Sequence, residues 1–170
     1  MVIDKVGIDP GNQQPVVVLK EESSSRYLPI SIGPDEANAI IMKLQEVEPP
    51  RPMSHDLICS IIKDLGAEAT GIVINTLEKN IFYAEIILMV NGEEIQVDSR
   101  PSDALALAVR FQMPIFATES VLDRAGVWLD ENTGLEGGEG KPATDDELRK
   151  MSAFTEFINT LDMDDFKSEE

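Results

Sequence analysis

His55 is the only imidazole in the 170-residue chain, so histidine-based proton transfer has one place to happen. It follows Ser54 at the start of a helical pattern, with Arg51 a few residues upstream. A helix N-terminus beside an arginine suits an anion such as phosphate. The same residues also suit a structural role, with His55 closing the Pro-rich turn and Asp56 complementing the helix dipole. A second group, Asp98, Arg100, Ser102 and Asp103, falls where a strand pattern gives way to an apolar helix. Two carboxylates and a guanidinium there suit a divalent cation and an oriented phosphate. Ligation by oxygen alone favours Mg2+ or Mn2+ over zinc. The structural alternative pairs Asp98 with Arg100 and uses Ser102 and Asp103 as helix caps, with Pro101 fixing the turn.

Glu36 divides in the same way, between a first-turn acid and a third carboxylate joining Asp98 and Asp103 at a metal. Glu85 interrupts an apolar strand, so it either faces solvent or is buried with a partner. Trp128 reads as a packing anchor rather than a base-stacking platform. Cys59, the single cysteine, lies in an apolar helical pattern and reads as a buried, inert thiol. No phosphate-binding glycine loop, dinucleotide fingerprint, Ser-His-Asp context or HExxH motif is present, and no organic cofactor is expected.

The elements that must position these groups follow from periodicity. Alternation predicts a strand over residues 2–9, and two further strands follow over 15–20 and 27–32, separated by Pro10-Gly11-Asn12 and a polar loop. Pro34 opens a helix whose apolar positions are Ala37, Ile40, Ile41, Leu44 and Val47. Pro49-Pro50-Arg51-Pro52 ends it, and Ser54 is the expected N-cap of a second helix with the stripe Leu57, Ile58, Ile61, Ile62 and Leu65. Strands follow over residues 70–76 and 81–90. Asn91-Gly92 then predicts a type I′ hairpin into residues 94–98. The run Ala104 to Val109 is apolar all round, so its helix should be buried. A short strand over 114–117 and a brief helix over 119–124 complete the reading. The fold class is α+β: a single compact domain with a largely antiparallel or mixed sheet packed by about three helices.

Domain organisation divides the chain into 1–128, a Gly-rich acidic linker over 129–143, and an amphipathic helix with an acidic tail over 144–170. Thr144-Asp145-Asp146-Glu147 has a capping-box pattern, followed by Leu148, Met151, Phe154, Phe157, Ile158 and Leu161 at helical spacing. An isolated helix of this length is marginal in water, so its stripe is expected to dock on its own or a sister subunit.

Charge constrains partners. The chain has 14 Lys+Arg against 32 Asp+Glu, a net charge of −18. Residues 1–128 hold 10 basic and 19 acidic residues, and the remainder holds 4 and 13, so the last 42 residues carry half of the net charge. Nucleic-acid binders usually present a basic face, so any such contact here must be local or metal-assisted. No stretch reaches the roughly 18 apolar residues that span a bilayer. The N-terminal residues do not look like a secretory signal, and a cytoplasmic location is expected.

Four segments carry a family likeness. They are Leu28-Pro29-Ile30-Ser31-Ile32-Gly33-Pro34-Asp35-Glu36-Ala37, Pro49-Pro50-Arg51-Pro52-Met53-Ser54-His55-Asp56-Leu57, Phe82-Tyr83-Ala84 and Val97-Asp98-Ser99-Arg100-Pro101-Ser102-Asp103-Ala104. In this order and spacing they resemble the bifunctional nuclease domain, over roughly residues 1–128. The segment from Phe154 to Phe166 also resembles the C-terminal helix of bacterial members. The resemblance implies a single-domain α+β fold, homo-oligomerisation, and hydrolysis of both DNA and RNA. On that reading His55, Asp98 and Asp103 act on water or metal, and Arg51, Arg100 and Ser102 bind substrate. Glu36, Asp98 and Asp103 would hold Mg2+ or Mn2+. Two other functions fit the same residues: a non-catalytic homo-oligomeric regulatory or interaction module, and a small-molecule binder using a pocket beside Arg100.

Overall fold

The computed structural model describes residues 1–9, 11–130 and 134–137. Three strands open the chain, β1 (Val2–Ile8), β2 (Pro15–Lys20) and β3 (Arg26–Ser31), each antiparallel to the next. Helices α1 (Pro34–Leu44) and α2 (Ser54–Asp64) follow. Then come β4 (Glu68–Glu78), β5 (Ile81–Val90) and β6 (Glu93–Ser99). The remaining elements are α3 (Pro101–Phe111), β7 (Ile115–Ala117), α4 (Glu119–Ala125), β8 (Val127–Asp130) and β9 (Gly134–Gly137).

The strands form two sheets rather than the single sheet expected. One has the order β1-β2-β3-β8-β9 and is antiparallel throughout. The other has the order β6-β5-β4-β7, with β7 parallel to β4. The class is α+β, as the strand and helix patterns indicated. Helix α3 packs on β4 and β5 of the second sheet and is covered on its other sides by α1 and α2. Its residues Ala104, Leu105, Ala106, Leu107 and Ala108 are all buried in one core with Val17 and Leu19 of β2, and Ile72, Ile74, Ala84 and Ile86 of β4 and β5. An apolar helix without a polar face must be covered on all sides, and one sheet cannot do that. Burial of each such leucine contributes about 1.5–3 kcal/mol.

Local chemistry accounts for several boundaries. Asn91 and Gly92 take φ values of 53° and 85°, the positive pair that a tight hairpin between β5 and β6 requires. Pro34 and Pro101 occupy the first position of α1 and α3, where the absent N–H costs nothing. The Gly-rich stretch begins as structure: Gly134 and Gly137 stand in β9, paired with Asp130 and Val127 of β8. Backbone hydrogen bonds there need no side chain, which composition alone does not convey. The expected C-terminal helix over 144–161 lies outside the described residues.

Helix α2 departs most from its pattern. Leu57, Ile58, Ile61 and Leu65 are 40–76% exposed, while Cys59 is buried and Ile62 half-buried. The helix is rolled so that His55, Asp56 and Cys59 turn inward. Two polar contacts to α3, from His55 and Asp56, set that roll at the expense of the apolar stripe. Trp128 is likewise not a buried anchor: it is 43% exposed, with the Arg26 guanidinium 5.7 Å from its ring centre.

Candidate active site at the helix N-termini

Each of the first three helices carries an acid at its third position, Glu36, Asp56 and Asp103. That is where the helix dipole and the unpaired N–H groups favour a carboxylate. Ser54 is the first helical residue rather than the N-cap. Asp56 does the capping instead, its Oδ2 accepting the Met53 N–H at 2.9 Å.

Arginines pair with all three acids, Arg100 with Glu36 and Asp103, and Arg110 with Asp56. Arg100, the residue that precedes α3, donates from Nε to Asp103 Oδ2 at 2.6 Å and from Nη2 to Glu36 Oε1 at 2.7 Å. Its Nη2 also reaches Asp103 Oδ1 at 3.1 Å. His55 Nε2 meets the same Oδ1 at 3.1 Å. Glu36, His55, Arg100 and Asp103 are therefore one hydrogen-bonded group spanning three helix starts. Arg100 is 66% exposed at its surface, whereas the His55 side chain is 11% exposed.

Burial opposes ionisation of Asp103, but the hydrogen bonds from Arg100 and His55 outweigh it and hold its pKa below the usual aspartate value. Asp103 is thus an anion and can only accept. The Nε2 of His55 must carry the proton in that contact, which leaves the lone pair of a neutral ring on Nδ1. The bonds to Asp103 and Glu36 raise the pKa of Arg100 further.

The other sequence-predicted residues fall elsewhere. Asp98 is opposite Glu85 in the β5–β6 register, while its neighbours Val97 and Ser99 pair with Ile86 and Ala84. Ala84 and Ile86 face α3, so Asp98 and Glu85 project from the other face of that sheet. The expected Asp98–Arg100 pair is not formed, because Arg100 turns back onto its own helix start. Ser102 is buried at 7% and makes no side-chain cap. Arg51 is exposed in the turn before α2 and takes no part in these hydrogen bonds.

The residues present do not make a ready metal set. The Arg100 guanidinium stands between Glu36 and Asp103, and Asp98 is across the sheet. Among the described residues no three His, Cys, Asp or Glu side chains gather in a metal-binding arrangement. A groove of about 700 Å3 occupies the other ends of α1 and α3, and none of the four cluster residues lines it.

Arg110 was not singled out from the sequence. Its side chain is 7% exposed and donates from Nε to Asp56 Oδ1 at 2.6 Å, and from Nη1 to the carbonyls of Ala39 and Ala106 at 3.1 and 2.9 Å. One guanidinium therefore ties α1, α2 and α3 together directly beneath the cluster helices. The signal for it was a lone cation at the end of an otherwise apolar run.

An α+β fold with a His–Asp–Arg–Glu group at converging helix starts defines a class without assigning a reaction. Comparison with known proteins supplies the family. Residues 17–130 match the bifunctional nuclease domain, and the chain belongs to that family. It is 39% identical over 163 residues to an uncharacterised protein of Mycobacterium tuberculosis, covering 96% of this chain and 94% of that protein. It is 30% identical over 118 residues to bifunctional nuclease 2 of Oryza sativa subsp. japonica, covering 67% of this chain and 36% of that protein. With bifunctional nuclease 2 of Arabidopsis thaliana the identity is 25% over 103 residues, 59% of this chain and 31% of that one. The match thus takes in about a third of each of these plant proteins. Among the described residues no helix is long and apolar enough to cross a membrane.

Proposed function

We propose that the chain is a nuclease hydrolysing phosphodiester bonds of DNA and RNA, with the His55–Asp103 pair handling protons and Arg100 meeting the phosphate. The observation that carries this reading is the 3.1 Å contact between His55 Nε2 and an ionised Asp103. It orients the ring and leaves Nδ1 as the proton acceptor for an attacking water. The water oxygen bonds to phosphorus, the ester P–O bond breaks, and the proton taken by His55 passes to the departing oxygen. Arg100, exposed and already geared to oxyanions, offers its guanidinium to the phosphate in exchange for one of its carboxylates. The names of the plant relatives support the reaction class.

Electrostatics make this a demanding site. Two carboxylates, Glu36 and Asp103, face the single guanidinium of Arg100, so the group is short of positive charge for an incoming phosphate unless a further cation joins. The assay therefore follows DNA and RNA degradation by wild type, His55→Ala and Asp103→Asn, each purified identically, with EDTA and with Mg2+ or Mn2+. Loss of activity of about 100-fold or more in His55→Ala is expected for a general base. Equal degradation by all three proteins removes the assignment, and inhibition by EDTA in wild type alone shows a divalent ion to be required.

A second reading has its own observation. The exposed stripe Leu57, Ile58, Ile61 and Leu65 on α2 is what a homo-oligomeric regulatory or interaction module would present. Sedimentation equilibrium of wild type and Ile61→Asp reads it: a larger assembly that Ile61→Asp dissociates, without nuclease activity, favours this module.

A further inference from the structure

The groove of about 700 Å3 lies between the start of β1, the last turns of α1 and α3, and the start of β7. Its lining mixes apolar side chains, among them Val2, Leu44 and Phe116, with the charged Glu22, Lys43 and Glu46. Val2, Leu44 and Phe116 are 41%, 51% and 53% exposed, so the described residues leave this concave surface uncovered. Exposed apolar side chains gathered in a concavity can receive the apolar face of a helix.

We propose that residues 144–161 of the same chain fill the groove with the stripe Leu148, Met151, Phe154, Phe157, Ile158 and Leu161. Strand register places the groove within reach. Gly137 pairs with Val127, Val127 with Tyr27, Tyr27 with Lys20, and Lys20 with Val2. The last described residue therefore stands in one row with a groove residue, four strand spacings away, or about 19 Å. Leu148 follows Gly137 by 11 residues, which extend to at most about 36–40 Å. The tether is long enough to cross the row and turn into the groove.

Tethering also decides between occupants. A segment tethered to its site by a short stretch of chain has an effective concentration on the order of millimolar. A second copy or a foreign partner would need comparable concentrations to displace it. The stripe itself requires cover, because an isolated helix of this length is marginal in water. The segment also belongs to what the mycobacterial relatives share. Their alignment leaves only about 4% of this chain outside, and so includes 144–161, although the family domain ends at 130. The exposed stripe of α2 is the competing surface, but it is one side of a helix rather than a concavity, and no register row leads to it.

The test uses the full chain with paired cysteines. Leu44→Cys with Phe154→Cys, oxidised at low protein concentration, is expected to form an intrachain disulfide, seen as a faster non-reduced band at monomer mass and as the linked peptide by mass spectrometry. Ile61→Cys with Phe154→Cys places the partner cysteine on α2 and is expected to link at least tenfold more slowly. Faster linkage at Ile61, linkage only between chains, or no linkage in a protein with native circular dichroism overturns the proposal. Leu44→Asp supplies a second readout: tryptic cleavage after Arg149 and Lys150 should quicken about tenfold or more as the segment is released. Unchanged cleavage in a folded Leu44→Asp protein also overturns it.

Discussion

Replacing Arg110 by methionine removes the charge that joins three helices while keeping most of the aliphatic stem in place. The cost follows from the contacts. A hydrogen bond involving charged groups contributes about 1.5–3 kcal/mol, and breaking a fully buried pair costs about 3–5 kcal/mol. Arg110 is 7% exposed but Asp56 is 32% exposed, so water partly resolvates the stranded carboxylate. The carbonyls of Ala39 and Ala106 lie within helices and lose only a second partner. The expected loss is therefore about 2–3 kcal/mol, which for a chain of this size lowers Tm by about 4–12 °C. Urea unfolding of wild type, Arg110→Met, Asp56→Asn and the double variant gives the coupling, expected to be at least about 1 kcal/mol. A pH series adds a second check. Burial resists ionisation of Asp56, but the bonds from Arg110 and Met53 outweigh it and hold its pKa below the usual 3.8. A depressed carboxylate contributes stability above its unfolded pKa that is lost as pH falls through the folded value. Wild type should therefore lose stability below about pH 4, and Arg110→Met should lose less over that window. A change within about 0.5 kcal/mol in Arg110→Met would refute the three-helix role.

Asp103→Asn should flatten the same acid-side stability loss, because its pKa is also held low, by Arg100 and His55 against burial; calorimetry between about pH 2 and 5 reads it. Leu105→Ala opens a cavity at a side chain with no exposed surface, and should cost about 2–5 kcal/mol in urea unfolding. Gly92→Ala forces a Cβ onto a φ of 85° and should cost about 1 kcal/mol while leaving the far-ultraviolet spectrum unchanged. Burial pushes the Cys59 thiol pKa up, so thiol reagents should label it in the unfolded chain and far more slowly in the native one, measured by a timed absorbance assay.

The elements were largely legible because their signals are local. The alternation over 2–9 and the Asn91-Gly92 pair need no tertiary information, since a strand's period and a turn's φ angles are fixed by neighbouring residues. The apolar run after Ser102 announced a buried helix for the same reason. What could not be read was which surface each element would meet. The stripe of α2 predicted an inward face that the helix does not use, because its roll is set by Arg110 and Asp103, each about 50 residues away in sequence. Local periodicity carries no term for such contacts.

The candidate site shows the same division. Sequence alone singled out Glu36, His55, Arg100 and Asp103 by residue type and by position at helix starts, and the family likeness followed from those segments. Only the tertiary structure decided that these four share hydrogen bonds, and that Asp98, two residues from Arg100, projects from the far side of a sheet. The reason is geometric: in a strand, neighbouring side chains point to opposite faces, and which face meets the helix depends on distant residues.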